Sequence, residues 1–170
     1  MPKPPDFDTT AADKYFAAHC FNSAWSLIEQ AERSPEEEAQ LVALGHASLF
    51  HWTQRADCTD KNLSIAHWLL SRIYAVLGEP LQARRYAESC LRISQRPDVE
   101  PLYLAFAQEA VARSASLRAD WSTVSTSLRE ARALADQVVD PENRNLLLAD
   151  LSTIRTSAES VRPNTFTATV

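Results

Sequence analysis

Only two glycines, Gly45 and Gly78, occur in 170 residues, too few for a glycine-rich phosphate loop or a turn-rich β fold. The three cysteines, Cys20, Cys58 and Cys90, are odd in number, far apart and never arranged as CxxC. That pattern speaks against a disulfide framework and fits reduced thiols in a cytoplasmic protein. No apolar run reaches the roughly eighteen residues that span a bilayer. The leading Met1-Pro2-Lys3-Pro4-Pro5-Asp6 lacks the apolar stretch of a signal peptide. HExxH, EF-hand and GxSxG strings are absent, and with them the usual signatures of zinc proteases, calcium loops and serine hydrolases. A net charge of −5 argues against nucleic acid as a partner. The expectation is a cytoplasmic, non-enzymatic protein with no cofactor, no metal and no membrane contact.

What is present is hydrophobic in 45% of positions, which at this length suits one helical domain with a sizeable core. Charge is uneven along it. Residues 1–60 hold four basic and ten acidic side chains, 61–118 eight and five, and 119–170 five and seven. Arg84, Arg85, Arg92 and Arg96 dominate the middle, all on one predicted helix, and read as a solvated outer face.

Seven helices follow from periodicity and caps. The first runs from near Asp8 or Thr9 to about Ala31, with Phe16, Cys20, Ala24, Leu27 and Ile28 in one apolar stripe that Phe21 and Trp25 widen. Ser34-Pro35-Glu36-Glu37 starts the second: Ser34 caps, Pro35 presets φ, and Glu37 completes a capping box. It continues to about Arg55. Asp60 is placed to cap a third helix ending at Gly78, and Pro80 opens a fourth that runs to about Ser94. The fifth and sixth cover about 101–117 and 120–138. Asp140-Pro141-Glu142 begins the seventh, with Leu147, Leu151, Ile154 and Ala158 in one seam. Asn143, Arg144, Asn145, Asp150 and Thr153 make its polar outer side, as a helix closing an open stack requires.

Small and large residues alternate across the third and fourth helices in a telling way. His67, Leu70-Ser71, Tyr74, Gly78, Ala83 and Ala87 fall at the offsets of a tetratricopeptide unit, and Cys90 and Leu91 continue the second helix. A weaker copy follows forty-one residues on: Val111-Ala112, Ala115, Ala119, Val124, Leu128 and Ala131. The usual period is about 34 residues, so Arg96-Pro97-Asp98-Val99-Glu100-Pro101 is the place to house the excess. The chain resembles tetratricopeptide-repeat proteins. Through Cys20-Phe21-Asn22-Ser23-Ala24-Trp25, His46–Trp52 and Trp68–Gly78 it is also similar to a group of small bacterial helical-repeat proteins without an assigned activity. The resemblance implies an all-α, right-handed stack of antiparallel helix pairs, an α-solenoid of about seven helices. Its parts are a first pair at 10–56, units at 60–95 and 101–138, a capping helix at 140–160 and a loose tail at 161–170. An ordinary helical bundle is the competing architecture.

In such repeats the first helix of each pair lines a concave wall. The resemblance therefore points to Ile65, Trp68, Arg72 and Val76, and to Phe106, Glu109, Arg113 and Leu117, as a groove for a protein or peptide partner. Trp68, Arg72 and Arg113 are the expected anchors, since Arg grips carboxylates bidentately. The competing possibility is that Trp68 packs under the first helix and Arg72 pairs with a neighbouring acid. A second functional reading is a small-molecule, metal or catalytic pocket around His46, His51 and Arg72, with Trp52 beside the histidines. His46 and His51 cannot chelate together, because five helical residues turn the chain by about 140°. Self-association is the third reading, with a homo-oligomer filling its own groove.

Overall fold

The computed structural model describes residues 6–156, all of whose regular structure is helical. The helices are α1 (Thr9–Ile28), α2 (Pro35–Gln54), α3 (Asp60–Val76), α4 (Pro80–Ser94), α5 (Pro101–Ser116), α6 (Trp121–Ala135) and α7 (Pro141–Ser152). Their ends are set by local chemistry. The Ser34 hydroxyl accepts the Glu37 N–H at 3.2 Å and the Glu37 carboxylate accepts the Ser34 N–H at 2.8 Å, closing the capping box of α2. The cap of α3 is Thr59 rather than Asp60. Thr59 and Asn62 exchange the same reciprocal bonds, leaving Asp60 in the first turn to pair with Arg96. α1 stops at Ile28 instead of Ala31, and the Arg33 guanidinium folds back to donate to the carbonyls of Leu27 (3.1 Å) and Gln30 (2.8 Å).

α1 packs along α2, α3 along α4, and α5 along α6. α3 also touches α1 on one side and α5 on the other, whereas α2, α4 and α6 do not touch one another. The first helices of the three pairs thus form a continuous layer while the second helices splay apart behind it. This curves the α1–α3–α5 surface inward, an arrangement like that of helical-repeat proteins.

The forty-one-residue repetition is visible in the backbone. Gly78 has φ +73° and Ala119 φ +56°. Behind them the Glu79 N–H donates to the Tyr74 carbonyl (2.8 Å) and the Asp120 N–H to the Ala115 carbonyl (3.1 Å), the same reversal in both units. Gly78 accepts this conformation freely, whereas an alanine there is strained by about 1–2 kcal/mol.

Close approach within pairs depends on small residues that also satisfy carbonyls. Ser48 donates to the Ala17 carbonyl at 2.8 Å and Ser71 to that of Ala83 at 2.9 Å, while Ser64 and Ser94 bond each other at 2.6 Å. Gly45 lets α2 press on α3: a Cβ there would lie 2.5 Å from Ile73 Cδ1. Ala83 is fully buried in the α3–α4 crossing, so Ala83→Leu is expected to cost about 1–3 kcal/mol by overpacking. A thermal melt checks this; an unchanged midpoint would show that the crossing has slack.

The core lies in two clusters. One joins Ala24, Leu41, Leu69, Leu70 and Ile73 between α1, α2 and α3. The other joins Ala112, Val124, Leu128 and Ala131 to Leu147, Leu151 and Ile154 of the α7 segment. Ala158, the last residue of the expected seam, lies outside the described residues. Phe16, placed in the buried stripe of α1 by its spacing, is 41% exposed.

Candidate functional site

The inward-curving face carries an aromatic ladder, one ring per layer. Trp25 of α1 stacks on Trp68 of α3 with centroids 5.5 Å apart, and Phe106 of α5 meets Trp68 edge-on, also at 5.5 Å. The indole N–H groups are fixed by carboxylates: Trp25 donates to Glu29 at 2.9 Å and Trp68 to Glu109 at 2.8 Å. Beside the ladder opens a pocket of about 180 Å³, walled by Trp25, Ile65, Trp68, Tyr103 and Phe106, and on the α7 side by Leu146 and Asp150. Ile65 also lines an adjoining pocket of about 160 Å³ with Phe21, Asn22, Trp52 and Asn62.

Beneath the ladder lies a buried charge node. Glu109 is 1% exposed and accepts from Trp68 Nε1 and, at 2.6 Å, from Arg113 Nε. Arg72 Nη2 lies 3.5 Å from Glu109 and 2.7 Å from Asp150 Oδ1. The Asp150 contact is short, but neither approach is aligned as a hydrogen bond, so Arg72 is held by charge and by the indole faces, 5.4 Å from Trp68 and 6.0 Å from Trp25. Arg113 Nη2 donates to the Asp150 carbonyl at 3.1 Å and to Thr153 Oγ1 at 2.8 Å. α7 is thereby pinned across the concave face.

This pinning rearranges the expected groove. Ile65, Trp68 and Phe106 line the pocket on one side of α7. Val76, Arg113 and Leu117 line a separate pocket of about 380 Å³ on the other, with Thr153, Ile154 and Arg155. Arg72 and Glu109 are buried between the two. Trp68 packs on α1, and Arg72 and Arg113 already hold acceptors of the chain itself, so the grip expected for a ligand is taken. Asp150 and Thr153, assigned by spacing to the polar outer side of α7, point inward to these arginines. Spacing alone could not find Asp150, Tyr103 or Leu146, because each joins the site only through the way α7 and α5 pack.

His46, His51 and Trp52 do not converge. His46 Nε2 bonds the Tyr74 hydroxyl at 3.0 Å, His51 Nδ1 lies 2.7 Å from Asp13, and Trp52 faces the second pocket under Arg55, 4.1 Å away. Arg72 is near none of these contacts. No group of three or more His, Cys, Asp or Glu residues that could hold a metal ion occurs among the described residues. The three thiols are free, and burial pushes that of Cys90 up to about 11, which keeps it protonated at neutral pH. Burial lowers the His67 imidazole below its ordinary value, with Arg92 adding to the effect. Arg84, Arg85, Arg92 and Arg96 are exposed, as a solvated face requires.

No protein family, curated protein or solved structure matches this chain. The site must therefore be read from its own chemistry.

Proposed function

We propose that this chain is a non-enzymatic interaction module of tetratricopeptide-like type that holds a protein or peptide segment against its α1–α3–α5 face. The observation that carries the reading is the apolar pocket framed by rings from three successive layers, Trp25, Trp68 and Phe106. Its volume of about 180 Å³ is that of a single ring or branched side chain; an apolar cavity of about 150 Å³ takes up benzene. One aromatic or aliphatic side chain of the partner is the anchor, and its burial contributes about 1.5–3 kcal/mol. Asn22 in the adjoining pocket offers an amide suited to a peptide backbone. Arg72 and Arg113 serve as struts of the wall rather than as direct grips. A small-molecule pocket around His46, His51 and Arg72 draws no support from their contacts, which are with three different partners, Tyr74, Asp13 and Asp150. The free thiols support a reducing, cytoplasmic setting. No helix among the described residues is long and apolar enough to cross a membrane.

A peptide array probed with the wild-type protein and with Phe106→Ala tests the reading. Retained peptides are expected to share an aromatic or branched aliphatic residue, and Phe106→Ala is expected to weaken them about tenfold or more. Circular dichroism confirms that the variant is folded. Retention that is indifferent both to Phe106→Ala and to alanine at the shared residue would move the partner off this face.

A further inference from the structure

Exposed apolar side chains mark an interaction site when they gather into one contiguous patch. Among the described residues every exposed aromatic is found where the first turns of α1 meet the last turns of α2: Phe7 (62% exposed), Tyr15 (58%), Phe16 (41%) and Phe50 (57%). Their centre is His51, whose ring stacks on Phe16 at 5.3 Å and meets Phe50 edge-on at 5.4 Å. Asp13 holds it at 2.7 Å, half-buried and locked in orientation. Phe7, Phe16 and Phe50 surround a shallow hollow of about 500 Å³ whose floor includes Asp13 and His51. The patch is separate from the ladder of the concave face, which uses Trp25 of α1, Trp68 of α3 and Phe106 of α5.

Its charge says what covers it. Asp6 and Asp8 flank Phe7 in the chain and Asp13 lies on the floor of the hollow; the cations at this end are Lys14 and Arg55, the latter already paired with Asp57, within a first sixty residues that hold ten acidic and four basic side chains. Two copies meeting face to face would bring these carboxylates together, at a cost. A cationic partner gains twice: its ammonium or guanidinium groups meet carboxylates at the edge and the faces of phenylalanine rings inside. We infer that this patch is a second interaction surface, independent of the concave groove. It takes a basic amphipathic segment of a partner protein, with apolar side chains covering Phe7, Phe16 and Phe50 and lysine or arginine meeting Asp6 and the carboxylate oxygen of Asp8 that does not cap α1.

The test uses a fluorescein-labelled amphipathic helix of leucine and lysine and a matched helix of leucine and glutamate, titrated by anisotropy. The Leu/Lys helix is expected to bind about tenfold or more tightly than the Leu/Glu helix, and to weaken as salt rises. Phe16→Ser with Phe50→Ser alters no charge and is expected to weaken it about tenfold, while Trp68→Ala leaves it unchanged. Equal binding of the two helices, no binding at all, or indifference to the phenylalanine substitutions overturns the inference. Weakening by a Trp68→Ala variant that circular dichroism shows to be folded overturns it too, by transferring the contact to the groove. Light scattering that finds a dimer dispersed by Phe50→Ser would instead give the surface to a second copy. The peptide array is read with a variant of the groove and this titration with variants of the patch, so the two readings fail separately.

Discussion

Glu109→Ala is expected to be among the most damaging single substitutions in this protein, at about 3–5 kcal/mol, because it breaks a buried charge cluster on one side only. Glu109 is 1% exposed and takes hydrogen bonds from the Trp68 indole and the Arg113 guanidinium. Without it, Arg113 keeps only the Asp150 carbonyl and Thr153 as acceptors. Arg72, whose Nε already lacks a hydrogen-bond partner among the described residues, retains one carboxylate, Asp150. The indole N–H loses its acceptor outright. For a chain of this size the loss corresponds to a fall in melting temperature of roughly 6–20 °C. Glu109→Gln separates shape from charge. Its carbonyl can still accept from Trp68, but position 109 no longer offers a charge, and the two guanidiniums keep only the carboxylate of Asp150 beside Arg72, so an intermediate loss is expected. A Glu109→Ala melt within two or so degrees of wild type would mean that water reaches the node and replaces the carboxylate.

The second large effect concerns α7. A chain ending at residue 139 is expected to keep helical circular dichroism but to become oligomeric or insoluble. Leu147, Leu151 and Ile154 are 0%, 2% and 5% exposed, packed with Val124, Leu128 and Ala131 of α6 and Ala112 of α5. Removing them opens an apolar patch of several hundred Å² or so, enough to drive association. It also strips Asp150 from Arg72 and two acceptors from Arg113. A chain ending at residue 156 keeps all of these contacts and is expected to behave as the full-length protein does. Gel filtration with light scattering reads both. A monomeric 1–139 chain as stable as the parent would show that the first six helices close on themselves, which favours a bundle over an open stack needing a cap.

These two effects lie where spacing and packing part company. Caps, turns and helix pairing are local, and their chemistry is written in adjacent residues. Ser34 with Glu37, Pro80, Pro101 and Asp140-Pro141 mark helix starts because each satisfies or omits a specific N–H. Gly78 and Ala119 mark the same reversal forty-one residues apart, and the alanines and serines between helices announce close crossings. The apolar and aromatic character of Ile65, Trp68 and Phe106 on one face was legible for the same reason.

What a side chain finds opposite it is another matter. Arg72 looks like a free grip from α3 alone, and Asp150 looks like solvent-facing polarity from α7 alone. Only the packing of α7 across the layer brings them to 2.7 Å, and so divides one predicted groove into two pockets. The reverse happened at the other end, where Phe16 has the spacing of a core residue but sits where no further helix among those described covers it. The sequence by itself determined seven helices, their boundaries within a few residues except at α7, which ends at Ser152 rather than near 160, and the faces they use for their nearest neighbours, since those depend on contacts a few residues apart along the chain. The tertiary structure decided which polar groups are spent internally and which aromatics stay in water, because burial is a property of what arrives from elsewhere, and no periodicity within a helix records it.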